Sequence, residues 1–295
     1  MSGSIKAALA ANLSIATAKT IGAFFTGSAS MVAEAIHSAA DCGNQLLLMW
    51  GIHSSEKEPD TDHPLGYGNN IFFWSFIVAL VLFLVGGIYS IYEGLHKIQD
   101  PKPLQHVGWA IGILVFGIFA EGKSFLICYK EIKHKHPGKS ITWFFKETRS
   151  PELLIIFGED LAALIGLVLA IIFLVVSEVT GNPVFDAIGS LLIGILLVVV
   201  AIGLFLEIKE LLIGQSVDPS VRKALRKHIF EECEQIEHTY ECITLQVGKE
   251  AVLMLRVRLV AEENADDLIE SIKRIEEGIT DRFPQFTTIF IKPDK

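Results

Sequence analysis

The chain has 295 residues, of which 51% are hydrophobic, and its mean hydropathy of +0.46 is too high for an ordinary soluble domain of this size. Its formal net charge of −9 argues against a nucleic-acid partner, because phosphate binding requires a basic face. The hydrophobic residues are concentrated before about residue 212, and the remainder has the composition of a soluble domain. We therefore predict a membrane domain over residues 1–212 and a C-terminal domain over residues 213–295.

Six apolar runs have the length of about 20 residues that a helix needs to cross a bilayer. In chain order, they cover about residues 5–25, 28–52, 71–91, 107–128, 153–176 and 184–206. Five lysines and one arginine lie between residues 129 and 150, and such basic loops stay in the cytoplasm. Six spans then place both termini in the cytoplasm. The first residues carry neither a cleavable signal pattern nor an Arg-rich transit peptide, which is typical of a multi-pass protein of the bacterial inner membrane.

The C-terminal domain is predicted to be a small α+β domain with the element order αββαβ, as in ferredoxin-like folds. Helices are predicted over residues 219–235 and 264–282, and strands over residues 242–247, 252–260 and 287–291. In the second strand, Leu253, Leu255 and Val257 alternate with long or charged side chains, the pattern of a half-buried strand. We expect an open sheet with its helices on one face.

The second predicted span carries the most informative ionisable residues. Such groups are costly inside a bilayer and are therefore candidates for function. His37 and Asp41 are four residues apart, which places them on one helix face, and Glu34 and Gln45 extend the same stripe. An imidazole and a carboxylate at this spacing form half of a site for a transition metal.

The fifth predicted span supplies the other half of the site with Glu159 and Asp160. Adjacent residues diverge by about 100° on a helix, so the two carboxylates need not face the same cavity. Together with His37 and Asp41 they form a donor set that suits zinc and also manganese, iron or cobalt. The alternative is a structural network of protonated carboxyls and a histidine between packed helices.

Glu121, Lys123 and Lys19 are further ionisable residues in predicted spans. Glu121 and Lys123 point to different faces of the fourth span, where pairing between helices and a role in a transport pathway remain open. Lys19 in the first span is expected to be a structural lysine or one that snorkels to the interface. The loop over residues 60–68 contains two acids and a histidine that suit a surface metal site, but its proline and glycines favour a tight turn.

Three motifs carry a family resemblance. Residues 26–41 read Thr-Gly-Ser-Ala-Ser-Met-Val-Ala-Glu-Ala-Ile-His-Ser-Ala-Ala-Asp and resemble the second-helix signature of the cation diffusion facilitator family. Residues 63–68, His-Pro-Leu-Gly-Tyr-Gly, are similar to the loop motif of that family. Residues 159–163, Glu-Asp-Leu-Ala-Ala, resemble the branch that contains the animal mitochondrial zinc exporter. Six spans followed by an αββαβ domain match the architecture of the family, so the resemblance covers nearly the whole chain.

The resemblance implies a homodimeric metal/proton antiporter that exports zinc from the cytoplasm without an organic cofactor. Its transport site would be formed by His37, Asp41 and Asp160. Most members of the family also have a His or Asp four residues before the aspartate of the fifth helix, a position that is Ile156 here. Either Glu159 supplies the fourth ligand, or the site has three protein ligands and water.

The C-terminal domain also departs from the family pattern. Members often bind metal there through several His and Asp residues, whereas here only His228 and His238 are available, ten residues apart, with two cysteines nearby. We therefore interpret the domain chiefly as a dimerisation domain and not as a metal sensor.

Two other function classes make use of the same residues. A membrane-embedded metal hydrolase would activate water at the same cluster and attack a lipid, but the sequence has no nucleophile motif and Glu159 is the only spare base. A non-transporting membrane scaffold would tolerate alanine at His37 and Asp41. Four ionisable groups at mid-membrane exceed what packing requires, so we expect a transporter and not an enzyme.

Overall fold

The computed structural model describes residues 3–135, 137–231, 233–260 and 264–294. The chain divides into two compact units. The first comprises Met1–Trp50, Trp74–Phe144 and Pro151–Ile208, and the second comprises Gly51–Phe73, Phe145–Ser150 and Lys209–Lys295. Since the second unit also contains two segments from the first two thirds of the chain, the domain boundary at residue 212 stays a prediction.

All secondary-structure elements described up to residue 213 are helices. They are α1 (Gly3–Thr26), α2 (Ala29–Ser55), α3 (Asn70–Val81), a π-helical segment (Leu82–Ile88), α4 (Tyr89–Gln99), α5 (Val107–Lys135), α6 (Ile141–Glu147), α7 (Pro151–Thr180) and α8 (Val184–Ile213). Every predicted span is helical, and most helices extend beyond the predicted bounds. The short helix α6 was not predicted; it lies within the basic loop and buries Phe144.

Four continuous helical stretches in the described part of the chain are long and apolar enough to cross a bilayer. They are Asn70–Gln99, Val107–Lys135, Pro151–Thr180 and Val184–Ile213. The remaining predicted spans, α1 and α2, are helices of 24 and 27 residues. Helix α2 is less apolar because it carries the polar residues of the candidate site. The helical membrane fold is thus confirmed, whereas a total of six crossings stays a prediction.

The stretch Asn70–Gln99 packs closely against α8. A Cβ atom on Gly194 would lie 2.7 Å from the backbone nitrogen of Ile91, so only glycine allows the two backbones to approach this far. The hydroxyl of Ser190 donates a hydrogen bond to the carbonyl oxygen of Ser90 at 3.0 Å in the same contact. Small residues and hydroxyl groups are the usual means by which helices associate inside a bilayer.

The π-helical segment lies in the middle of this stretch, where the sequence predicts an uninterrupted helix. Gly86 and Gly87 lie within it, and both are buried. Pairs of small residues such as glycine are a common place for a helix to depart from regular α-geometry, and π-helical segments occur as single turns inside α-helices. The sequence rule based on apolar length does not detect such a change of pitch.

The N-terminus of α2 is capped by a side chain from α8. The carboxylate of Asp186 accepts hydrogen bonds from the hydroxyl of Ser28 at 2.6 Å and from the backbone N–H groups of Ala29 and Ser30. The hydroxyl of Ser30 returns a bond of 2.9 Å to the carbonyl oxygen of Asp186. The first N–H groups of a helix lack partners within the helix and favour a nearby negative charge. Asp186 therefore connects α2 to α8.

The second unit contains a three-stranded sheet. Its elements from residue 219 onward are α9 (Pro219–Glu231), β1 (Ile236–Val247), β2 (Glu250–Leu259), α10 (Ala265–Arg282) and β3 (Phe286–Pro293). Strand β2 is central, antiparallel to β1 and parallel to β3. The predicted order αββαβ is confirmed. Strand β1 begins earlier than predicted because its first residues also pair with β2, across two irregularities in the register.

Both helices of this αββαβ part cover the same face of the sheet. Leu253, Leu255 and Val257 of β2 are buried in one hydrophobic core with Leu225 of α9 and Ile279 of α10. The predicted alternation in β2 is therefore confirmed.

Candidate functional site

The polar side chains of α2 form one buried stripe in the first unit. Glu34, His37, Asp41 and Asn44 follow one another at intervals of three or four residues and share a helix face. Glu34, His37 and Asn44 are fully or almost fully buried, and Asp41 retains 17% of its side-chain exposure. At the end of the stripe, the residue that contacts α7 is Asn44, whereas the sequence analysis named Gln45.

His37 and Asp41 lie next to each other but do not form a hydrogen bond. The Nδ1 atom of His37 is 3.6 Å from Oδ1 of Asp41, which is longer than a hydrogen bond. Neither ring nitrogen of His37, nor Oδ1 of Asp41, has a hydrogen-bond partner among the described residues. Buried polar atoms are nearly always paired in native proteins. These three atoms are therefore available to a ligand.

The two acidic residues of α7 point to different helices, as their adjacent positions predict. Asn44 of α2 donates a hydrogen bond of 2.6 Å to Oε1 of Glu159. Ser124 of α5 donates a hydrogen bond of 2.9 Å to Oδ2 of Asp160. Glu159 thus joins α7 to α2, and Asp160 joins α7 to α5.

The four predicted ligands fall into two half-sites, His37 with Asp41 on α2 and the two acidic residues on α7. Glu121 of α5 lies within electrostatic range of Asp41, Glu159 and Asp160. In the described part of the chain, no three His, Cys, Asp or Glu side chains converge closely enough to hold one metal ion. The hydrogen bond between Asn44 and Glu159 joins the helices that carry the two half-sites, and a common role of the half-sites in metal binding stays a prediction.

A family model for the cation efflux transmembrane domain matches residues 5–213. The chain belongs to this family. The resemblance to the cation diffusion facilitators, seen in the motif of α2, is thereby confirmed.

Several relatives of this cation efflux protein have names that refer to metal transport or metal tolerance. It is 32% identical to the mouse mitochondrial proton-coupled zinc antiporter SLC30A9 over 271 residues, which are 90% of this chain and 46% of the relative. It is also 32% identical to metal tolerance protein C4 of Arabidopsis thaliana over 77% of this chain and 50% of that protein. The zinc transporter ZitB of Yersinia pestis is 25% identical over 86% of the chain and 77% of its own length. The chain spans about half the length of the first two relatives.

A buried ion pair extends the α2 stripe of the cation efflux protein. Lys19 of α1 donates hydrogen bonds from Nζ to Oε2 of Glu34 at 3.0 Å and to the hydroxyl of Ser38 at 2.8 Å. The side chains of Lys19 and Glu34 both have 0% exposure. Lys19 is therefore fully buried and paired, and its ammonium does not reach an interface as a snorkelling lysine would.

The loop between α2 and α3 forms a turn in the second unit. Asp60 accepts hydrogen bonds from the backbone N–H groups of Asp62 and His63 and from the Tyr67 hydroxyl at 2.7 Å. The Tyr67 hydroxyl contributes most to lowering the pKa of Asp60, followed by the N–H group of His63. Gly66 adopts a positive φ of 76°, which favours glycine. The carboxylate of Asp60 is thus engaged in the turn that the proline and glycines predict.

Sequence reasoning missed the partners that hold the candidate ligands. Asn44 lies three residues after Asp41, so the helical period could have included it in the stripe. Ser124 and the pairing of Lys19 with Glu34 depend on contacts between different helices, which no local pattern specifies.

Proposed function

We propose that this chain is an integral membrane antiporter that exchanges zinc for protons and exports zinc from the cytoplasm without an organic cofactor. The observation that carries the proposal is the pair of His37 and Asp41, in which both ring nitrogens and the Oδ1 atom have no hydrogen-bond partner in the described part of the chain. The family match supports it, as do the names of the relatives, which are a proton-coupled zinc antiporter and a zinc transporter.

The proposed zinc ligands are His37, Asp41 and Asp160, with Glu159 as the fourth. Zinc binds nitrogen and oxygen atoms at about 2.0–2.2 Å, so α2 and α7 must approach each other when zinc enters. Asp160 would then exchange its bond with Ser124 for zinc, and Glu159 its bond with Asn44. Manganese, iron and cobalt accept the same donor types and are the competing substrates.

Exchange with protons follows from the chemistry of these ligands. Zinc binds neutral imidazole and ionised carboxylate, so its binding releases protons and the arrival of protons releases zinc. In alternating access, the site opens to one side at a time. An inward proton gradient then drives zinc outward. No step requires a covalent intermediate, and the proposal is that of a transporter and not an enzyme.

The proposed topology has six spans, with both termini in the cytoplasm of a bacterial cell and the spans in its plasma membrane. The basic residues between positions 129 and 150 support the orientation. Residues 1–212 form the transport domain, and residues 213–295 form a domain that mediates homodimerisation. His228 is buried against the ring of Phe283, which supports a structural role and not a metal-sensing one.

The test is metal uptake into proteoliposomes under an imposed pH gradient, with zinc, manganese, iron and cobalt compared. Asp41→Asn and Asp160→Ala should abolish gradient-driven zinc flux while leaving the protein folded. Asp100→Asn, which alters an exposed acid between α4 and α5, is the matched control and should transport like wild type. Normal flux in Asp41→Asn would contradict the site, and absence of flux for all four metals in folded wild-type protein would contradict the antiporter.

A further inference from the structure

The ion pair between Lys19 and Glu34 is more polar than helix packing requires. Burying two charges costs more than burying apolar side chains of similar volume, and charged residues inside a membrane protein mark ion pathways. One oxygen of this carboxylate, Oε2, accepts the lysine. The other, Oε1, is buried and has no hydrogen-bond partner among the described residues. A pair that served stability alone would not leave a carboxylate oxygen unsatisfied.

The unpaired oxygen lies against a glycine of the helix that carries Glu159 and Asp160. A Cβ atom on Gly166 of α7 would be only 2.6 Å from Oε1 of Glu34. Absence of a side chain at this position therefore allows the carboxylate oxygen to lie directly against the backbone of α7. The lysine likewise lies near a glycine, since a Cβ on Gly117 of α5 would be 3.5 Å from Cε of Lys19.

The position of Glu34 on α2 relates it to the candidate metal site. Glu34 precedes His37 by three residues, about one helical turn, on the same buried face. In the predicted topology the N-terminus of α2 is on the outer side, so Glu34 lies between His37 and the outside. A cation that leaves the His37–Asp41 pair outward along this stripe meets the Glu34 carboxylate next.

We propose that Glu34 is a second cation-binding station on the outward path and that Lys19 is a tethered cation that occupies it between transport cycles. This inference rests on the proposed function. Zinc that reaches Glu34 displaces the lysine ammonium, which keeps its hydrogen bond to the hydroxyl of Ser38. When the ammonium pairs with Glu34 again, it competes with zinc for the carboxylate and speeds release. The negative charge of Glu34 is thus neutralised by zinc during transport and by Lys19 between transport cycles.

Lys19→Met tests the proposal, because methionine fills a similar volume without a charge. The full chain is purified in detergent and its zinc equivalents are measured by equilibrium dialysis, beside flux in proteoliposomes. We expect one more zinc per chain than in wild type, at least tenfold slower zinc dissociation, and a joint decrease in KM and kcat. Adding Glu34→Gln should remove the extra equivalent and the slow dissociation. An unchanged number of zinc equivalents in folded Lys19→Met would overturn the proposal.

A charge swap distinguishes a role of Lys19 as a tethered cation from a purely structural role of the ion pair. This experiment also tests the proposal if the Lys19→Met variant does not fold. Lys19→Glu combined with Glu34→Lys keeps an ion pair but moves the carboxylate from α2 to α1. A structural role predicts that the swapped protein transports zinc like wild type, and this result would overturn the proposal. We expect a folded protein with at least tenfold lower flux. Absence of zinc flux in the wild-type protein would contradict the proposed antiporter function itself. If the wild-type protein transports zinc and the charge-swapped protein transports it equally well, only the proposal of a second cation-binding station is contradicted.

Discussion

Asp186→Asn should destabilise the chain through the N-terminus of α2. Asparagine has nearly the same shape as aspartate, so the substitution removes the negative charge and one acceptor without creating a cavity. Asp186 is buried, with 1% exposure, and its carboxylate accepts bonds from three groups at the start of α2. In the variant, an NH₂ group replaces one oxygen, and at least one donor among Ser28, Ala29 and Ser30 loses its acceptor.

The expected magnitude follows from these contacts. A hydrogen bond to a charged group contributes about 1.5–3 kcal/mol. The attraction between a buried charge and a helix N-terminus adds about 0.3–2 kcal/mol. Side-chain bonds between membrane helices average about 0.6 kcal/mol, which favours the lower end of the sum. We expect a loss of about 2–4 kcal/mol, which corresponds to a decrease of about 3–6 °C in melting temperature for a chain of this size.

The assay is thermal unfolding of the full chain in detergent, with zinc flux measured in parallel. Ser177→Ala is the matched control, because it removes one bond between neutral groups, from the Ser177 hydroxyl to the carbonyl oxygen of Asn182 at 3.0 Å. We expect this control to cost about 1 kcal/mol. A melting temperature for Asp186→Asn equal to or above that of Ser177→Ala would refute the role of Asp186 as the cap that connects α2 to α8.

Three further predictions concern packing and pH. Gly194→Ala should cost about 1–3 kcal/mol by melting temperature, because its Cβ would meet the α4 backbone at 2.7 Å, whereas Gly203→Ala, with open space around it, should be neutral. Leu255→Ala should cost about 2–5 kcal/mol, measured by denaturant unfolding, because it opens a cavity in the core of the αββαβ part; a loss below 1 kcal/mol would contradict the packing described. Tyr67→Phe removes the main cause of the lowered pKa of Asp60, so that pKa should rise toward its ordinary value of 3.8 in a carboxyl NMR titration. The stability that the lowered pKa contributes at higher pH is lost as pH falls through the folded value, and this acid dependence should weaken in the variant.

The features that could be predicted from the sequence are those that depend on the spacing of residues within one helix or one strand. The spacing of His37 and Asp41 fixes their common helix face, and the alternation in β2 fixes which of its side chains enter the core. The contact of Asn44 with Glu159 joins residues 115 positions apart, and a helical period cannot choose between Asn44 and Gln45. The burial of Lys19 could not be predicted for the same reason, because its partner Glu34 lies on another helix. Whether the half-sites of α2 and α7 bind one zinc ion together stays a prediction.

The π-helical segment Leu82–Ile88 contains more residues per turn than an α-helix of the same length. A π-helical residue turns the chain by less than the roughly 100° of an α-helical residue, so the seven residues of the segment give about the same total rotation as one residue fewer in an α-helix. Removing one residue and restoring α-helical pitch would therefore leave Gly94, whose Cβ would lie 2.8 Å from the backbone nitrogen of Leu191, facing α8. In sequence comparisons within the cation efflux family, a one-residue gap at this place therefore signifies a change of helical pitch and not a change in the face that α4 presents to α8.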